Sequence, residues 1–435
     1  TDEDNIGGHV LWVALADVGH YIRPGSALDR EALKRGASLY LPRMHVPMFP
    51  HELAENLLSF DANKNRACLA YEMKISAKGE LLSHKMHQGI MRSKAELNYN
   101  QVAQALLGNA DHATSKIKDD LLDPLNAVHD SLKLDFDARG AIDHSLAEAA
   151  PTIAEEATAH RIISLAMQAA RRCAGEDQQN AEGNGVYRTQ PQPDRLNQAA
   201  IDDLVHYGLL KTNEIETPAD ITAEKINALF AASRDSADPA TTKKLISSLL
   251  PQSKFTADNV GHFTVAAPAY APLTNPIRDF ESLLTGRRLK SIFNLKSGAM
   301  DKNAQEQLNL TFTKLNEAES RGKTAHKKVS AAMMASGNPY LDFRKALNGD
   351  DQYAHLLEDQ DVESAILKSL GIPVEFPDDV KSEIESIVAT QSNPADLLDD
   401  PKREDLTHLP FVTIDGADAR DFDDAVLSYP DEDPA

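Results

Sequence analysis

LPFVTIDGADARDFDDAV, residues 409–426, carries five carboxylates within ten positions: Asp415, Asp418, Asp421, Asp423 and Asp424. The stretch Pro410–Asp415 before them is apolar and β-branched, so the acids begin where a strand ends. Like charges at this density repel one another unless a cation or strong donors neutralise them. Hard oxygen ligands at a strand end suit Mg²⁺ or Mn²⁺, either of which can bridge carboxylates and a phosphate oxygen. The competing reading is a solvated acidic loop, the commoner fate of acidic runs. Phe422, Ala425 and Val426 lie inside the run and argue for a loop held down by core contacts. A calcium EF-hand needs glycine at loop position six and glutamate at position twelve, and counting from Asp415 or Asp418 finds neither.

The rest of the chain sets the frame for that loop. Its 435 residues are 42% hydrophobic and 26% charged, enough to bury a real core. Sixty-seven acidic residues against 45 basic ones give a net charge of −22, which excludes a general polyanion binder coated in positive charge but leaves room for a local basic groove. Cys68 and Cys173 are the only cysteines and form no CxxC or Cys/His cluster. This argues against a disulfide scaffold or structural zinc and fits a reducing cytoplasm. No apolar run reaches the ~18 residues of a membrane span, and the opening TDEDNIGG is the opposite of a signal peptide.

Periodicity divides the chain into a β-rich start, a helical middle and a mixed tail. His9–Ile22 predicts a buried strand ended by Arg23-Pro24-Gly25, Leu28–Arg35 a short helix, and Ser38–Pro42 another strand. CLAYEMKISAKGEL, from Cys68, alternates and turns at Lys78-Gly79 as a hairpin does. Residues 101–247 are predominantly helical in pattern, with AGEDQQNAEGN (174–184) an exposed loop. Three prolines in His262–Arg278 forbid a long helix there, and Leu308–Met334 is helical again. The tail from Asp361 predicts one helix, an acidic loop over Leu397–Asp405 and a final strand, Pro410–Asp415.

The acidic stretch resembles the signature of the RNB domain, the catalytic module of the RNase II / RNase R exoribonucleases. Residues 9–60 and RACLAYEMKISAKGEL are similar to the stretch that comes after that signature in the family. Further similar blocks are DARGAID at Asp137, GVYRTQPQP at Gly185, APLTNPIR at Ala271 and, more weakly, ESRGKTAHKKV at Glu319. AILKSLGIPVEFPDDV (Ala365–Val380) resembles the segment leading into the signature. The order is permuted: joining Ala435 to Thr1 restores an uninterrupted family sequence. The resemblance therefore implies a domain built from 362–435 plus 1–333, with 334–361 a junction, either by circular permutation or by numbering that begins inside the domain. Thr1 and Ala435 would then meet on paired strands beside the active site.

The resemblance implies an α+β fold with a central mixed or antiparallel sheet surrounded by helices. It places Asp415, Asp421, Asp423 and Asp424 in the four catalytic aspartate positions: Asp415, Asp421 and Asp424 as Mg²⁺ (or Mn²⁺) ligands and Asp423 as the group orienting the attacking water. Asp418 falls outside the four. Arg278 matches the arginine on the scissile phosphate, a role suited to a guanidinium that can grip two oxygens. Tyr40 matches the aromatic that stacks on a base near the RNA 3′ end; as an isolated strand tyrosine its alternative is core packing. Several positions depart from the family. His144 stands in place of its aromatic after the Arg-Gly-Ala motif, Ser164 and Leu165 replace paired glutamates after His160, Gln190 replaces a histidine, and Asp279 and Ser282 replace an arginine and an aspartate after Arg278. The basic clusters Arg287–Lys296 and Arg321–Lys328 read as helix faces, and no stretch reads as the OB-folds that flank the domain in the family.

These expectations converge on a cytoplasmic 3′→5′ exoribonuclease that hydrolyses single-stranded RNA to nucleoside 5′-monophosphates without a membrane association. The alternatives are a weak or inactive RNB protein that binds RNA or a protein partner, and a metal phosphoesterase for small molecules.

Overall fold

A computed structural model describes residues 5–42, 44–144, 154–295, 299–335, 361–391, 401, 403–417 and 419–431. In chain order its strands are β1 (His9–Ala16), β2 (Leu39–Tyr40), β3 (His45–Val46), β4 (Asn65–Ile75), β5 (Leu81–Arg92), β6 (Glu96–Asn98), β7 (Tyr187–Thr189), β8 (Lys254–Thr256), β9 (Glu404–Asp405), β10 (Thr413–Asp415) and β11 (Asp424–Pro430). The central sheet runs β11-β1-β4-β5-β9. It is antiparallel except for β9, which joins β5 in parallel, so the sheet is mixed. β1 lies inside this arrangement and is buried along almost its whole length, which is why its sequence is continuously apolar rather than alternating. The β4–β5 hairpin closes at Gly79, whose φ of 83° is the left-handed conformation that glycine adopts freely.

Helices close over the sheet, and one apolar core joins β1, β4 and β11 to the helices Asp123–Ala138, Ala154–Asn180 and Phe280–Ile292. A satellite cluster of Leu204, Ile226, Phe230 and Ile246 gives the helices Gln198–His206, Ala223–Ser233 and Pro239–Ser248 a small core of their own. Asp17, just past β1, is 1% exposed. It is gripped by Lys290 Nζ, by Arg403 Nη2 at 2.9 Å and by Gln88 Nε2 at 3.2 Å. Burial alone would raise its pKa, but these two cations hold it far below the usual carboxylate range. The triad fastens both the Phe280–Ile292 helix and the segment before the acidic signature to the end of β1.

Several sequence expectations are corrected. The first strand stops at Ala16, and Val18–Tyr21 is a helical turn. The Ala154–Asn180 helix continues through most of the expected 174–184 loop, held there by two polar residues that turn inward. Gln178, 1% exposed, bonds the backbone of Ala174 and Val186, and Asp177 accepts from the Tyr71 hydroxyl at 2.6 Å. The tail holds two helices, Asp361–Ser369 and Asp378–Gln391, and β10 is followed by a further strand, β11. Arg287, Arg288 and Lys290 are buried rather than forming a solvated basic face. Part of the expected 397–405 loop, Asp418, Thr1 and Ala435 lie outside the described residues. β1 and β11 pair antiparallel from Leu15↔Asp424 to His9↔Pro430, and Asn5 Nδ2 donates to Asp431 at 2.9 Å.

Candidate active site

The acidic segment is pinned from three sides. β10 pairs in parallel with β6, setting Asp415 opposite Asn98. Asn98 caps the Tyr99–Leu106 helix, so the pairing delivers Asp415 and the Tyr99 ring to one place. Farther along, Phe422 N donates to Ser59 Oγ at 3.1 Å and Phe422 O accepts from Phe60 N at 3.0 Å. Ala16 N then donates to Asp423 O at 2.9 Å, where β11 enters the sheet. Phe422 packs partly buried against the core, in keeping with its apolar character within an acidic run.

Four carboxylates occupy distinct environments around this turn. Asp415 and Asp424 face a cavity of about 250 Å³ shared with Tyr99, Ser164, Gln168 and Arg278. Burial, reinforced by Asp415, raises the pKa of Asp424 to about 7. Asp421 is raised to about 6, again chiefly by burial, with Arg278 opposing and Asp415 and Glu55 adding to the rise. Asp423 is 3% exposed. Its Oδ1 accepts from Ile277 N at 2.6 Å, while Oδ2 lies 3.3 Å from Arg278 Nε as an ion pair without an aligned hydrogen bond. Burial pushes Asp423 well above its usual range, and Arg278 offsets that only in part.

Arg278 and Tyr40 complete the site. The turn Asn275–Arg278 places the guanidinium between Asp423 and Asn275 Oδ1, the latter 3.1 Å from Nη2. Tyr40 lies close enough to Arg278 to feel its charge, and burial together with Asp421 raises its pKa to about 12. It is not a core residue: the ring is 46% exposed and stacks on His45 at a centroid distance of 4.5 Å and an angle of 13°. One face is thus supported by the β2–β3 hairpin, which sets Tyr40 opposite His45, and the other is available. His144 packs on Phe230 at 5.0 Å in the satellite cluster. Gln190 is a structural residue, accepting from Thr264 N at 2.9 Å and donating to Pro251 O at 2.8 Å.

Sequence reading missed Tyr99, Asn275, Glu55 and His45. Asn275, His45 and Glu55 all lie in stretches similar to the family, whereas Tyr99 reaches the site only through the long-range pairing of β10 with β6.

Clustered carboxylates whose charged forms are disfavoured by burial and by one another, Asp424 and Asp421 each beside Asp415, are the donor chemistry a divalent cation satisfies. Asp415 and Asp424, with Asp421 alongside, fit such an ion. Among the described residues no three carboxylate, imidazole or thiol groups already converge as a finished cage.

Ribonuclease R of Vibrio parahaemolyticus is 34% identical over 307 residues, which are 67% of this chain and 36% of that protein. The chain thus spans about a third of the length of the curated relatives it matches. Among solved structures, Mycoplasma genitalium RNase R in complex with ribose-methylated single-stranded RNA superposes with a TM-score of 0.64 at 22% identity, over 75% of this chain and 53% of that one. Yeast Ssd1, a pseudonuclease, superposes with a TM-score of 0.53 at 17% identity, over 74% of this chain and 41% of that one. These two likenesses concern the fold. The RNB domain model matches residues 2–294, a span that includes β1, Tyr40, the β4–β5 hairpin and Arg278, and on that match the chain belongs to the RNB domain family.

Proposed function

We propose that this chain hydrolyses single-stranded RNA from its 3′ end, releasing nucleoside 5′-monophosphates. The observation that carries the reading is the meeting of four aspartates, one arginine and one half-exposed tyrosine at a single turn. Arg278 grips the scissile phosphate and takes up charge that develops on its oxygens. Tyr40, backed by His45, stacks on a base and sets the register of the 3′ end. Once a phosphate recruits Arg278, Asp423 Oδ2 is freed to accept a hydrogen bond from the attacking water. A divalent ion held by Asp415, Asp421 and Asp424, which we assign as Mg²⁺ or Mn²⁺, would supply Lewis-acid stabilisation of the phosphate. Cys68 and Cys173 are free and buried, in keeping with a cytoplasmic setting.

A second reading, a weak or inactive RNB protein that binds RNA or a partner protein, draws on the Ala154–Asn180 helix. There Ser164, at one of the two positions where the family resemblance implies glutamates, faces the cavity, and Leu165, at the other, is buried in the core. End-labelled single-stranded RNA incubated with Mg²⁺ or with EDTA decides between them. Metal-dependent release of mononucleotides supports the nuclease, and RNA retention without cleavage in Mg²⁺ supports the second reading.

A further inference from the structure

We propose that Asp279 is a positioning residue that acts through the side-chain amide of Asn275 to fix the Arg278 guanidinium. The inference rests on the nuclease reading for its kinetic consequence but not for its geometry. Asp279 is the N-cap of the Phe280–Ile292 helix, where an aspartate ordinarily accepts from a backbone N–H of the first turn. Its side chain makes no such cap. Instead Asp279 Oδ2 accepts from Asn275 Nδ2 at 3.0 Å, and Asn275 Oδ1 accepts from Arg278 Nη2 at 3.1 Å.

An asparagine amide has two orientations of nearly identical shape, and only one presents its oxygen to Arg278. An ionised carboxylate accepts and cannot donate, so Asp279 selects that orientation. The backbone makes the relay possible. Residues 278–280 run beside Gly36–Ser38, with Ser38 N donating to Arg278 O at 2.8 Å and Phe280 N to Gly36 O at 2.9 Å. Successive side chains therefore leave on opposite sides. Arg278 points to Asp423, and Asp279 lines a separate cavity of about 660 Å³ with Arg171, Arg188 and Glu281. Burial raises the pKa of Asp279, while Asn275 and the guanidiniums of Arg278, Arg171 and Arg188 favour its anion. Asn275 O also accepts from both Arg278 N and Asp279 N, so the whole turn is organised around one asparagine.

The test compares Asp279→Leu, Asp279→Asn, Asn275→Ala and the Asp279→Leu/Asn275→Ala pair. Asp279→Leu should lower kcat roughly 10–100-fold while changing KM and affinity for RNA in EDTA by less than about threefold. Asp279→Asn keeps an acceptor oxygen but can also donate, so its turnover should fall between Asp279→Leu and wild type. The double variant should be no worse than either single one, because both cut the same chain. The Nε–H resonance of Arg278, assigned by its loss in Arg278→Lys, should move in Asp279→Leu while melting temperature and circular dichroism stay near wild type. Unchanged kcat and resonance in Asp279→Leu, or additive losses in the pair, would overturn the proposal. Should the wild-type chain fail to cleave RNA, the nuclease reading falls, and the Arg278 resonance still decides the relay.

Discussion

Replacing Asp424 by Asn should stabilise the metal-free protein while removing its capacity to bind a divalent ion. The carboxyl is raised from 3.8 to about 7, so its charged form is disfavoured by the fold. Each unit corresponds to about 1.4 kcal/mol, which gives an upper bound of about 4 kcal/mol of destabilisation at pH 8. Water in the cavity and mutual adjustment with Asp415 bring the expectation to about 2 kcal/mol, or a few degrees in Tm for a chain of this length. The sign is set by proton uptake. Between the unfolded and folded pKa the native state binds more protons, so this group's contribution improves as pH falls and worsens as it rises through about 7. In EDTA, Asp424→Asn should therefore melt above wild type at pH 8, and its advantage should shrink to less than half at pH 5. Added Mg²⁺ at pH 8 should raise the Tm of wild type and leave the variant unmoved. A variant less stable than wild type by the same amount at both pH values would mean that Asp424 is satisfied within the protein, and the argument for a cation at this turn would fail.

Asp423→Asn should cost hydrolysis roughly 10²-fold or more, since an amide cannot both accept from Ile277 N and face Arg278 with an oxygen; turnover above about a tenth of wild type would remove Asp423 from the mechanism. Arg278→Lys keeps the charge but loses the planar fork, so turnover should fall far more than RNA affinity, whereas equal losses would mark it as a simple tether. Tyr40→Ala removes a platform worth roughly 1–3 kcal/mol and should lengthen the smallest oligonucleotide left undigested, with unchanged end products returning Tyr40 to a structural role. Since β1 and β11 pair to their outer ends, a chain with 431 linked to 5 by a short loop and opened within 336–360 should fold with a similar melting temperature; loss of cooperative unfolding would refute the permuted-domain reading.

How much of this is legible in the sequence depends on whether the signal is local. The acidic turn is readable because repulsion among Asp415, Asp421, Asp423 and Asp424 has to be answered somehow, and a phenylalanine in their midst argues for a held loop. The β4–β5 hairpin is readable from alternation and Lys78-Gly79. Charge misleads where burial depends on a distant partner. Arg287 is nearly buried because Asp29 meets it at 2.6 Å, Lys290 because it pairs with Asp17, and neither acid is near them in sequence. The polar pair Asp177 and Gln178 looks like loop for the same reason: they face Tyr71, His84 and the backbone of Val186. β11, seven residues long, is hidden by the acids that precede it and by the polar, proline-containing residues that follow.

The distribution of charge explains why the site tolerates so much uncompensated acid. The protein balances its buried carboxylates elsewhere: Asp17 has two cations, and Asp135 has Arg139 at 2.7 Å and Arg172 at 2.8 Å. At the acidic turn it supplies Arg278 alone to Asp423 and leaves Asp421 and Asp424 high in pKa. Arg278 is itself shared among Asp423, Asn275 and Tyr40, so drawing it toward a phosphate alters three interactions together. Strain of this kind persists only where the surroundings over-determine it. Here β1, Ser59, Phe60 and Ile277 each hold the Phe422–Asp423 backbone or side chain by a separate hydrogen bond. The turn can keep its acids close because the sheet and three loops hold them there, and that enforced proximity is what a metal ion and an RNA phosphate would relieve.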